Sequence, residues 1–159
     1  MKKQRTDSRL KTYITHSPTE TAQLAAQLAQ RLKAGDILAF RGGMGMGKTA
    51  FTRGLAQGLG IDEREVSSPT FALVHEYRGG RLTLFHFDMY RISGSDDLYS
   101  TGFYDYLDYG GVLAVEWSEN ISEDIPPEAI VITIEAVEEN PEWRKITLQG
   151  DERCENIGC

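Results

Sequence analysis

Gly42-Gly43-Met44-Gly45-Met46-Gly47-Lys48-Thr49 fits the pattern G-x-x-x-x-G-K-[ST], and nothing else in the chain restricts its fold so tightly. Glycines allow φ values and close approaches that a Cβ would block. The freed N–H groups then curve around an anion, and the helix that follows points its positive N-terminus at the same place. In such a loop Lys48 reaches the β- and γ-phosphates of a nucleotide, and the Thr49 hydroxyl takes a position on Mg²⁺. The flanks agree with this reading. Asp36-Ile37-Leu38-Ala39-Phe40 is a short apolar run that predicts a buried strand. Ala50, Phe51, Leu55 and Leu59 recur at helical spacing, with Gly58 and Gly60 closing the helix.

The remaining elements follow from punctuation and periodicity. Residues 1–11 are polar and basic and read as a disordered extension. Ser17-Pro18-Thr19-Glu20 is a helix start, with Ser17 as N-cap, Pro18 at N1 and Glu20 closing a capping box. Leu24, Leu28 and Leu32 form a packing stripe, and Gly35 is the expected stop. Ala72 to Tyr77 and Leu82 to Asp88 flank Arg78-Gly79-Gly80-Arg81 as a hairpin. Ser95-Asp96-Asp97 opens another helix. Val112-Leu113-Ala114-Val115 reads as a central parallel strand, and Ala129 to Ala136 and Arg144 to Leu148 as an antiparallel pair. One domain, residues 12–149, accounts for all of this. Residues 150–159 read as a flexible tail holding Cys154 and Cys159 as free thiols, with no zinc pattern near them.

A P-loop alone binds phosphate; transferring it takes carboxylates that hold the metal and orient a nucleophile. Two apolar strands end in one. Leu84-Phe85-His86-Phe87-Asp88 ends in an aspartate, and Val112-Leu113-Ala114-Val115-Glu116 in a glutamate. Strand carboxyl ends face the ligand crevice of an α/β sheet, so Asp88 and Glu116 are the candidate metal and catalytic carboxylates beside Lys48 and Thr49. His86 alternates with Asp88 on one strand face, Trp117 follows Glu116, and Arg91 is the nearest cation for charge stabilisation in cis.

Charge distribution and missing motifs narrow the function. The net charge is −7, and from Ile92 to Trp143 there are thirteen Asp and Glu residues and no Lys or Arg. That counts against a broad nucleic-acid footprint and favours a basic protein partner. No N-K-x-D is present, which favours adenine over guanine. No apolar run approaches a membrane span, so the expected location is cytoplasmic. Two other readings remain open at this point: a small-molecule kinase, disfavoured by the lack of a basic lid, and an ATP-dependent binding switch with little turnover.

Together the P-loop, Ser68-Pro69-Thr70-Phe71, His86-Phe87-Asp88-Met89-Tyr90-Arg91 and Glu116-Trp117 resemble the TsaE family. The resemblance runs from about Thr12 to Leu148. It implies a single-domain α/β protein of P-loop NTPase-like fold, with a mixed, mostly parallel central sheet flanked by helices. It also implies an ATPase that supports TsaD and TsaB in forming threonylcarbamoyladenosine beside the anticodon of tRNAs reading ANN codons. ATP and Mg²⁺ are the implied cofactors; tRNA is touched only indirectly, and DNA and membrane are not partners. Carried over, Gly43, Gly45, Met46, Gly47, Lys48, Thr49 and Ala50 contact the nucleotide, and Thr19 and Thr21 lie near the adenine. Thr49, Glu116 and Asp88 hold Mg²⁺; Lys48, Asp88 and Glu116 are catalytic; Ser68, Pro69 and Thr70 form a switch-like loop.

Overall fold

The protein is described by a computed structural model over residues 9–41, 47–62 and 74–157. Seven strands form one sheet: β1 (Arg9–Thr15), β2 (Ile37–Arg41), β3 (Val74–Tyr77), β4 (Leu84–Asp88), β5 (Val112–Glu116), β6 (Ile130–Val137) and β7 (Asn140–Gly150). Their order is β1-β7-β6-β2-β5-β4-β3. The four central strands, β6, β2, β5 and β4, are parallel to one another. Antiparallel partners are confined to the edges, β7 and β1 on one side and β3 on the other. The apolar runs of β2 and β5 are buried on both faces, as parallel strands between two layers must be.

One face carries α1 (Pro18–Ala29) and α2 (Lys48–Gly58) over Leu38, Phe40, Ala114, Ile132 and Leu148. The other carries two short helices, α3 (Ser95–Tyr99) and α4 (Phe103–Tyr106), over Phe85, Phe87, Leu113 and Val115. Successive strand residues point to opposite faces, so each strand feeds both cores. The two long helices meet backbone to backbone. A Cβ on Gly54 or Gly58 would overlap the carbonyl oxygen of Ala22 or Ala26, so glycine at i and i+4 sets their spacing.

The start of α1 follows the sequence with a shift. Ser17 Oγ accepts from the Glu20 N–H (3.1 Å), but the Glu20 carboxylate accepts from the His16 N–H (2.9 Å), closing the box one residue early. The helix ends at Ala29 rather than at Gly35, which instead makes a positive-φ turn into β2. The hairpin and the β6–β7 pair form as expected.

Both chain ends correct the sequence reading. β1 begins at Arg9, so residues 9–11 belong to the sheet; the remainder of the proposed extension lies outside the described residues. Residues 150–157, read from the sequence as a flexible tail, pack against the domain. Gly150 ends β7, Cys154 is fully buried, and Ile157 joins the same core. The Tyr13 hydroxyl donates to the Cys154 carbonyl (2.5 Å), Arg153 pairs with the buried Asp36, and Arg31 donates to the carbonyls of Arg153, Glu155 and Asn156. Two isolated apolar side chains and a set of charged anchors hold it, a pattern without periodicity. Cys159 lies outside the described residues.

Candidate functional site

Strands β2, β4 and β5 end on the same side of the sheet, where α2 begins. Gly47 is the N-cap of α2 at φ +98, a left-handed value that glycine adopts without strain. Lys48 and Thr49 are therefore the first residues of the helix, where N–H groups have no intrahelical partner. Residues 42–46, with Gly43, Gly45 and Met46 among them, and the loop of Ser68, Pro69 and Thr70 lie outside the described residues.

Lys48 is buried, and its ammonium is 3.7 Å from Glu116 Oε1 and 5.2 Å from the centre of the Trp117 ring. A carboxylate and an aromatic face both attract a cation, so this pocket stabilises a charge that burial alone would penalise. The other Glu116 oxygen, Oε2, lies 2.5 Å from His86 Nε2. Burial raises the Glu116 carboxyl, but the His86 hydrogen bond and charge and the Lys48 ammonium more than offset it. The group is held below its ordinary 4.5. Glu116 is thus ionised at neutral pH, with one oxygen tied to β4 and one facing α2.

The β4–β5 register sets Asp88 directly opposite Glu116 on the neighbouring strand. Asp88 Oδ1 accepts the Tyr90 N–H (2.9 Å), a local turn that leaves Oδ2 for other work. Thr49 and Ala50 are half-buried. Trp117 takes φ 61 and ψ 40, a conformation costing an L-residue roughly 1–2 kcal/mol. The turn is anchored by Met89 N–H to the Glu116 carbonyl (2.9 Å), Asn120 to the Met89 carbonyl (2.8 Å) and Ser118 Oγ to the Phe40 carbonyl (2.9 Å). The strained turn folds the indole back toward Lys48, and half-exposed Tyr90 meets its ring at 5.0 Å.

Of the residues expected near a nucleotide base, Thr19 is exposed on the first turn of α1 and Thr21 is buried. The Thr21 hydroxyl is shared with Thr15 Oγ1 (2.7 Å), tying α1 to β1. Arg91 is exposed. His86 meets Glu116 rather than Asp88, a link that the β4–β5 register creates and that alternation along one strand did not reveal. Among the described residues no group of three His, Cys, Asp or Glu side chains is assembled to hold a metal by itself. One hydroxyl and two carboxylates at a lysine-bearing helix start suit Mg²⁺, which keeps several waters and is bound through one or two carboxylates plus substrate phosphates.

A mixed, mostly parallel sheet with a G-K-T helix start at its carboxyl edge and acidic strand ends beside it defines a P-loop NTPase-like α/β protein. Comparison with known proteins narrows the class. The crystal structure of Bacillus subtilis YdiB superposes with a TM-score of 0.74 at 34% identity, covering 90% of this chain and 86% of that one. The family model for threonylcarbamoyl adenosine biosynthesis protein TsaE matches residues 15–146, and the chain belongs to that family. The tRNA threonylcarbamoyladenosine biosynthesis protein TsaE of Bacillus subtilis is 45% identical over 76% of this chain and 74% of its own length. Its namesakes in Aquifex aeolicus and Treponema pallidum are 38% and 34% identical, over 87% and 85% of this chain and 96% and 97% of theirs. The family places the chain in tRNA threonylcarbamoyladenosine biosynthesis. Among the described residues no helix is long and apolar enough to cross a membrane.

Proposed function

We propose that the chain is a Mg²⁺-dependent ATPase of the cytoplasm. It cleaves ATP to ADP and phosphate to support TsaD and TsaB in forming threonylcarbamoyladenosine next to the anticodon of tRNAs reading ANN codons. The observation that carries this reading is the buried Lys48 ammonium held between Glu116 and Trp117 at the start of α2. Glu116 is the counter-ion beside the Lys48 ammonium, 3.7 Å away. Lys48 would meet the β- and γ-phosphates of a bound nucleotide, and Glu116 and the Thr49 hydroxyl would hold its metal ion. Mg²⁺ supplies neutralisation of charge on the phosphate oxygens. Asp88, one strand away, supports the metal shell or holds the attacking water through its remaining oxygen.

A further cation is needed for the charge that develops on the transferred group; among the described residues Arg144 lies beside Gly47, its Nε 3.9 Å from where a Cβ of that glycine would stand. Arg91 points into solvent, and residues 92–143 hold no Lys or Arg. Arginine supplied in trans raises phosphoryl transfer by about 10³–10⁵. The acidic surface also favours a protein over tRNA as the direct partner. The test is ATP hydrolysis by the purified chain, alone and with TsaD and TsaB of the same organism. Slow turnover alone and strong stimulation in the complex are expected. Equal rates in both states would remove the partner-completed site, and turnover that requires a metabolite acceptor would mark a kinase.

A further inference from the structure

His86 is fully buried, and its Nδ1 has no hydrogen-bond partner among the described residues. Buried polar groups are nearly always satisfied, and an apolar side chain of the same size would fill this position without that penalty. Its register neighbour on β3 is His75, whose Nδ1 meets the Tyr77 hydroxyl at 3.1 Å. What His86 does make is the 2.5 Å contact with Glu116 Oε2. The β4–β5 register explains the reach. His86 lies opposite Ala114, whose small side chain leaves the imidazole free to extend to Glu116, two residues further along the same face. An ionised carboxylate only accepts, so Nε2 carries a hydrogen directed at it, and Nδ1 is the ring nitrogen without a partner among the described residues.

We propose that His86 is a positioning residue. Its Nε2–H pins Glu116 Oε2 to β4, so that Oε1 alone is presented to the α2 side of the site, where the divalent ion of a bound nucleotide is held. This rests on the Mg²⁺–nucleotide reading of the site and adds a division of labour between the two oxygens of Glu116. Partners that orient metal-binding side chains in this way typically contribute 10–100-fold to metal affinity or activity. The orphaned Nδ1 is the cost of placing a hydrogen-bond donor where packing alone calls for an aliphatic group.

The test is equilibrium binding of a fluorescent ADP derivative, with Mg²⁺ and with EDTA, to the wild-type chain, His86→Gln and His86→Met. Gln places an amide N–H near the Nε2 position, whereas Met fills the volume without a donor. The readout is the ratio of the two dissociation constants, which a purely structural role would leave unchanged. His86→Gln is expected to keep the wild-type ratio. His86→Met is expected to lose about tenfold or more of it, with affinity in EDTA preserved. The proposal is overturned if His86→Met keeps the full ratio, if affinities with and without Mg²⁺ fall together, or if folded His86→Gln loses the ratio as completely as His86→Met. Should His86→Met fail to fold, His86→Gln decides alone: a retained ratio supports the donor role and a lost ratio refutes it. A wild-type chain that binds the nucleotide equally with and without Mg²⁺, or not at all, removes the Mg²⁺–nucleotide reading and this proposal with it.

Discussion

The two faces of the sheet are built on different physical terms. On one, helices of 12 and 11 residues pack through an aliphatic stripe and through glycine–alanine contacts that bring their backbones together. On the other, helices of only 5 and 4 residues are held by rings. Phe85 and Phe87 meet Tyr106 at 5.0 and 5.1 Å, and Phe87 meets Phe103 at 5.2 Å. Helices this short have no stability of their own, so tertiary contact has to supply it, and aromatic side chains provide the largest buried area per residue. The tyrosine hydroxyls reach the acidic rim, with Tyr104 donating to Asp124 and Tyr106 to Glu76. The first face is a platform whose geometry is fixed by backbone contact. The second is a thinner, more polar layer with Tyr90, Tyr99 and Tyr109 exposed. The site lies on the seam: Lys48 comes from the platform, while Glu116 and Trp117, adjacent in sequence, end the strand shared by both layers.

This contrast is open to direct attack. Gly54→Val should do the most damage, because the new side chain meets the α1 backbone, which cannot rotate away as a flexible side chain does. A loss of about 3 kcal/mol or more is expected in urea denaturation; a loss below about 1 kcal/mol would mean that the helices are not in backbone contact. Lys48→Ala tests the seam rather than the platform. It should weaken ATP binding by about a hundredfold, near 2.7 kcal/mol by calorimetry, with a smaller loss of fold stability than Gly54→Val. Undiminished affinity would remove Lys48 from the site. The smallest effect concerns pH. The folded Glu116 carboxyl sits below its unfolded 4.5, so the stability it contributes is complete above that value and is lost as the pH falls through the lower folded value. The stability difference between the wild-type chain and Glu116→Gln should therefore be level from neutral pH down to about 5.5 and shrink below 4.5. A difference that is flat through acid pH would show that the carboxylate gains nothing from His86 and Lys48.

Much of this architecture is legible in the sequence because it rests on local pattern. The runs of β2 and β5, the stripe of α1, the hairpin and the strand-end carboxylates all announce themselves by composition and spacing. β1 does not, because Lys11-Thr12-Tyr13-Ile14-Thr15 buries only Thr15 and part of Tyr13, and it is held by its ladder to β7. The ordered tail is equally silent, since Cys154 and Ile157 show no periodicity and their anchors, Asp36, Arg31 and Tyr13, are far off in sequence. At the site, residue types and spacing indicated Lys48, Asp88 and Glu116. The His86–Glu116 link depends on inter-strand register, and the left-handed turn at Trp117 on hydrogen bonds shared with two other segments, at Met89 and Phe40. Neither is a property of any short stretch of chain.

The indole of Trp117 has a practical consequence. The chain has only two tryptophans, and this one has the Lys48 ammonium over its face. Indole emission responds to charge at short range, so moving that ammonium onto a phosphate would change the colour or brightness of Trp117. Trp143, set against the edge of His16, supplies a second and separate signal. If Lys48 meets a bound phosphate as proposed, Trp117 emission would report occupancy in unlabelled material on the timescale of mixing.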